Sequence, residues 1–89
     1  MKLKIDKKDC LLEELIVPKG YRIIEDWELL RELRTNKELQ EIFKKGIWVN
    51  RMMGIRAAWR DYFNIDASFL ANEPDVGYHL GLRGVWVKL

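Results

Sequence analysis

Arg83-Gly84-Val85-Trp86-Val87-Lys88-Leu89 is the stretch on which the reading of this 89-residue sequence turns. β-Branched and aromatic side chains dominate it, as they do in strands. Val85, Val87 and Leu89 share a face at the period of two. So many of its residues are apolar or aromatic that the strand is expected to be central in its sheet. Gly77, Gly81 and Gly84 precede or interrupt it at spacings that suit bends or bulges.

Working back, Asn72-Glu73-Pro74-Asp75 reads as a loop, because Pro74 removes a donor and biases its neighbour away from helix. Ala67 to Ala71 is short and apolar, and Asn64-Ile65-Asp66 is turn-like. Ala57 to Phe63 is ambiguous. A strand would set Ala58, Arg60 and Tyr62 against Ala57, Trp59, Asp61 and Phe63, whereas a helix would group Ile55, Trp59, Tyr62 and Phe63. Period alone does not decide between them. Ile47-Trp48-Val49 is a short β-prone run.

Two helices are expected before it. Residues 25–34 place Glu25, Asp26 and Glu28 at the N-terminal end, where the helix dipole favours acids. Trp27, Leu29, Leu30 and Leu33 form its apolar face. Thr35-Asn36-Lys37-Glu38 reads as a capping box with Thr35 as the cap. A second helix over 36–45 follows, with Leu39, Ile42 and Phe43 inward and Lys44-Lys45-Gly46 at its stop. At the other end, Leu3 and Ile5 alternate with Lys2, Lys4 and Asp6, which predicts a short strand with one buried face. Leu11 to Val17 suits a helical turn or a strand, and Pro18-Lys19-Gly20 is a turn. Helices grouped before strands give an α+β class: two short helices in series, then a small antiparallel sheet.

Composition supports one globular domain over residues 1–89. Hydrophobic residues are 48% and charged residues 34%, enough apolar material for a core and too much for a disordered chain. No uncharged run approaches the ~20 residues a membrane helix needs, so no membrane partner is expected. Met1-Lys2-Leu3-Lys4-Ile5-Asp6 has no apolar stretch behind it, and no signal peptide is expected. The single cysteine, Cys10, cannot form an internal disulfide. That fits a cytoplasmic protein, or a secreted one that relies on its core alone. Cys10 itself reads as a small, half-buried hydrophobe.

Four ordered blocks resemble a known family. Pro18-Lys19-Gly20-Tyr21-Arg22-Ile23 followed by Glu28-Leu29-Leu30 looks like the G-W/Y-R-L-P-T-x-x-E-L-L opening of small C-type-lectin-like domains, relatives of the formylglycine-generating-enzyme fold. Trp48-Val49-Asn50 stands where that family has W-S/T-S. Ala58-Trp59-Arg60-Asp61-Tyr62-Phe63-Asn64 resembles its A-W-x-x-x-F strand, and Arg83-Gly84-Val85-Trp86-Val87 its closing R-x-V strand. Ile24-Glu25 replaces the family's Pro-Thr, and the second block lacks its Ser. The resemblance implies a strand over 57–63 and core roles for Trp48, Trp59 and Trp86. It implies a binding scaffold, with contacts from the loop around Arg51 to Arg56 and from the face carrying Arg60 and Tyr62. Catalysis is not implied: the enzymes of that fold use a cysteine pair, and Cys10 lies outside all four blocks.

The residues themselves offer little chemistry. Ser68 is the only serine and Thr35 the only threonine. Ser68 with His79 lacks the Gly-x-Ser-x-Gly elbow of a nucleophile. Asp61 and Asp66 read as solvated turn acids, and His79 as a hydrogen-bonded strand or loop residue. One His and one Cys cannot supply the four ligands of structural zinc, so neither metal nor cofactor is expected. The glycines do not make a phosphate-binding Gly-x-Gly-x-x-Gly. Met52-Met53 reads as a core plug or flexible hydrophobe.

Net charge is only +2, yet its distribution is uneven. Lys44, Lys45, Arg51, Arg56 and Arg60 follow one another with no acid between, and Asp61, Asp66, Glu73 and Asp75 with no base. Two functions follow as expectations. The first is a non-enzymatic binding or structural module for a protein or glycan partner, using Arg51, Arg56, Arg60 and Tyr62. The second is a small nucleic-acid-binding protein using the basic segment 44–60, whose Arg51, Arg56 and Arg60 mix with the aromatics Trp59 and nearby Tyr62. A homo-oligomer is compatible with either, since a small aromatic-rich domain can expose a patch that pairs with its copy.

Overall fold

A computed structural model of the chain describes residues 1–58 and 81–89. The described elements are β1 (Leu3–Ile5), a 3₁₀ turn (Leu12–Glu14), β2 (Tyr21–Ile23), α1 (Asp26–Glu32), α2 (Lys37–Phe43), β3 (Ile47–Arg51), β4 (Gly54–Ala58) and β5 (Arg83–Lys88). The class is α+β, as read from the sequence.

β5 is the central strand. β1 pairs with it antiparallel along one side, Leu3 opposite Val87 and Ile5 opposite Val85. β2 pairs antiparallel on the other side, Ile23 opposite Trp86. β3 also reaches β5, with Ile47 opposite Arg83 and Trp48 opposite Gly84, and this pairing is parallel. β4 folds back antiparallel on β3. The sheet is therefore mixed rather than antiparallel throughout, and two of its strands precede the helices. The difference arises because β5, which runs opposite to the returning β4, lies beside β3 and not beside β4, so that its pairing there is parallel.

Alternation divides the sheet side chains between two layers. Val85, Val87, Ile47, Val49 and Ala58 face the helices and bury Leu29, Leu39, Phe43 and Ile24. Trp48, Ala57 and Leu82 face the other way, against Cys10, Leu12, Leu15, Ile23 and Ile55. The N-terminal arm closes this second layer. Two indoles pin it: Trp48 Nε1 donates to the Cys10 carbonyl at 2.9 Å, and Trp86 Nε1 to Asp6 Oδ1 at 3.0 Å. Gly84 makes room for the second contact, since a Cβ there would lie 2.6 Å from Asp6 Oδ2 and 3.0 Å from Trp86 Nε1.

Two local expectations are corrected. Asn36, not Thr35, caps α2: its Oδ1 accepts from Leu39 N–H at 3.0 Å. α1 buries a narrower stripe than expected, because a helix of two turns touches the sheet along one line only. Leu29 is inside and Leu33 packs against the core, while Trp27 is 54% exposed and Leu30 is exposed. In the ambiguous segment, Ala57 and Ala58 end strand β4; Trp59 to Phe63 lie outside the described residues. Leu11 to Val17 takes the helical option, as one 3₁₀ turn.

Candidate functional site

The segment Arg51 to Arg56, expected as a loop, is the closed end of the β3–β4 hairpin. Val49 faces Arg56, Asn50 faces Ile55 and Arg51 faces Gly54. Only Met52 and Met53 connect the strands. Both have left-handed backbones, φ 54° and 62°. A two-residue hairpin turn of this kind matches the twist of its strands and favours Asn-Gly. Methionine in that conformation costs about 1–2 kcal/mol per residue, because Cβ crowds the carbonyl. Neither side chain recovers the cost by burial. Met52 is 76% and Met53 fully exposed, which overturns the core-plug reading.

The base of this hairpin is anchored. Asn50 N–H donates to the Ile24 carbonyl at 2.9 Å. Arg51 Nε lies 3.5 Å from Asp26 Oδ2 at the start of α1. Next to Asp26, the exposed Trp27 indole donates to Glu25 Oε2 at 2.7 Å, and the Arg31 guanidinium lies 5.1 Å from its ring centre. The tip is thus an apolar pair on a rigid support beside a charged, aromatic helix start.

Of the expected site residues, Arg51 supports the hairpin and Arg56 is exposed beside its tip, folded back over Gly54. Arg60 and Tyr62 lie outside the described residues, as do Ser68, His79, Asp61 and Asp66. The basic segment is less available than its sequence suggests. Lys44 pairs with Glu41 at 3.1 Å, Lys45 with Asp9, and Arg51 with Asp26. The acids that neutralise Lys45 and Arg51 come from distant parts of the chain, so the local sequence does not show them, whereas Glu41 lies three residues before Lys44.

Cys10 is half-buried, as expected. Its backbone makes both hydrogen bonds of an antiparallel bridge to Leu82, at 2.9 Å. Burial pushes its thiol pKa up, and the negative charges of Asp6, Glu14 and Asp9 push the same way. Such a thiol is a poor nucleophile at neutral pH. Among the described residues, no three His, Cys, Asp or Glu side chains gather as metal ligands. No described helix is long and apolar enough to cross a membrane.

The sequence reading missed two features. Met52-Met53 lacks the glycine or asparagine that signals a tight hairpin. Lys2 and Lys4 read only as the polar side of a strand, although both are exposed on the arm beside β5. No protein-family model matches the chain, and neither does any curated protein or solved structure.

Proposed function

We propose that this protein is a non-enzymatic binding module that recognises a protein partner through the tip of its β3–β4 hairpin. The observation that carries the proposal is the pair Met52 and Met53, both strained and both exposed. Strained residues of this kind cluster at functional sites, which supports a contact surface here. Methionine is flexible and polarisable, and it adapts to apolar protein surfaces. It offers a sugar no hydrogen-bond donor, so a protein suits the tip better than a glycan. Arg56 adds a cation at the rim. The scaffold reading that accompanies this is the minimal C-type-lectin-like domain of the four sequence blocks. Nucleic-acid binding by segment 44–60 has less support, since Lys44, Lys45 and Arg51 already hold acidic partners.

The test compares the natural protein with Met52→Asn/Met53→Gly on protein and glycan arrays. Protein targets bound by the first and lost by the second are expected. Equal binding by both, or binding confined to glycans, would overturn the proposal.

A further inference from the structure

We infer that the outer edge of β1 is a docking site for an extended protein segment that alternates acidic and uncharged residues. This surface is separate from the hairpin tip.

Among the described residues, the outer edge of β1 pairs with no strand. Lys88 N–H donates to the Lys2 carbonyl at 3.0 Å, and Asp6 N–H to the Gly84 carbonyl at 2.9 Å. In an antiparallel pair such bonded positions alternate, so Lys2, Lys4 and Asp6 turn their backbone groups toward β5. Leu3 and Ile5 turn theirs outward, and they make no further backbone hydrogen bond among the described residues. An incoming strand can take up these groups, which is the main-chain part of strand addition.

A groove runs along the same edge. Met1, Leu3 and Ile5 form one wall, and the α1–α2 corner, with Glu32, Thr35, Asn36, Lys37 and Glu38, forms the other. Its volume is about 640 Å³. On the opposite face of β1, Lys4 Nζ stands 5.7 Å from the Tyr21 ring centre, and alternation places Lys2 on that face too. Among the described residues neither lysine has an acidic partner within ion-pair distance.

These charges define the occupant. A strand added to β1 sends alternate side chains to the two faces. Those on the lysine face meet Lys2 and Lys4, which favours Asp or Glu there. Those on the groove face meet Leu3 and Ile5, and beyond them Glu32 and Glu38 beside Lys37, which favours uncharged residues over acids there. A second copy of β1 fits poorly. Bonding through Leu3 and Ile5 on both copies sets Lys4 directly opposite Lys4, and like charges in that position are destabilising. Lysines on a bare edge also discourage unspecific pairing, so the same residues select the partner.

The probe is a fluorescent eight-residue peptide of Glu-Val repeated four times, followed by anisotropy. It is expected to bind, and Lys4→Glu, an exposed change that spares the core, is expected to weaken binding by about tenfold. Amide exchange at Leu3 and Ile5 is expected to slow on adding the peptide to the natural protein, a readout that needs no variant. Comparable binding of a peptide with four Glu followed by four Val, or of an eight-nucleotide oligothymidine, would show mere attraction of polyanions and overturn the inference. Absence of binding, or unchanged exchange at Leu3 and Ile5, would also overturn it.

Discussion

Arg22 on β2 and Glu28 on α1 form a two-pronged ion pair, Nη1 to Oε1 and Nη2 to Oε2, each at 2.7 Å. Glu28 is 2% exposed, while Arg22 remains open to solvent along one side. Glu25 N–H donates to the same carboxylate at 3.0 Å, so Glu28 also satisfies one donor at the helix start. The pair therefore fixes α1 to the sheet at the helix's first turn. Both residues belong to the first sequence block, but only folding brings their charges together.

This pair makes stability depend on acid. Hydrogen bonds from Arg22 hold the Glu28 carboxyl below the usual carboxylate range, against the opposing effect of burial, with help from Glu25 N–H. A depressed folded-state pKa contributes stability above the ordinary glutamate value near 4.5, lost as pH falls through the folded value. Glu28→Gln should cost about 2 kcal/mol at pH 7, the partial exposure of Arg22 moderating the loss. Its stability should fall less steeply below pH 5. Urea titrations of both proteins across pH 3–7 check this; parallel acid limbs would contradict it.

Capping distinguishes two adjacent residues. Asn36→Ala should lose about 1 kcal/mol, since the Leu39 N–H loses its acceptor. Thr35→Ala should change stability by less than about 0.5 kcal/mol. Chemical denaturation of the two variants reads the difference directly.

The hairpin turn should be easy to stabilise. Met52→Asn/Met53→Gly replaces two strained left-handed residues with the pair that adopts this turn most readily. A gain of about 1–2 kcal/mol is expected. Thermal unfolding measures it, and a lower midpoint would show that the methionines support the fold.

Cys10 should react slowly. Burial and the acids around it keep the thiol protonated at neutral pH. Alkylation by iodoacetamide at pH 7.5 should be at least about tenfold slower than in the urea-unfolded chain. Equal rates would show an open thiol.

Much of the architecture was legible because it rests on local periodicity. The alternation in Leu3–Ile5 and Val85–Val87, the i, i+3, i+4 spacing of Leu39, Ile42 and Phe43, and the Gly46 stop all mark elements that formed where expected. The sequence by itself determined β1, α1, α2, β3 and β5, because their periodicity depends on neighbours along the chain, whereas β2 and β4 were settled by their pairing with β5 and β3. Tertiary structure decided the rest. It chose Asn36 over Thr35, because Thr35 still lies in the turn that closes α1 with its N–H donating to the Glu32 carbonyl, and it left Trp27 exposed while Leu29 is buried. It paired Lys45 with Asp9 and Arg51 with Asp26 across long stretches of sequence, removing charge from a segment that looked free. It left Met52 and Met53 exposed and, among the described residues, the outer edge of β1 unpaired. Whether an apolar or charged group meets a partner depends on what packs over it, and that is fixed only when distant strands assemble around β5.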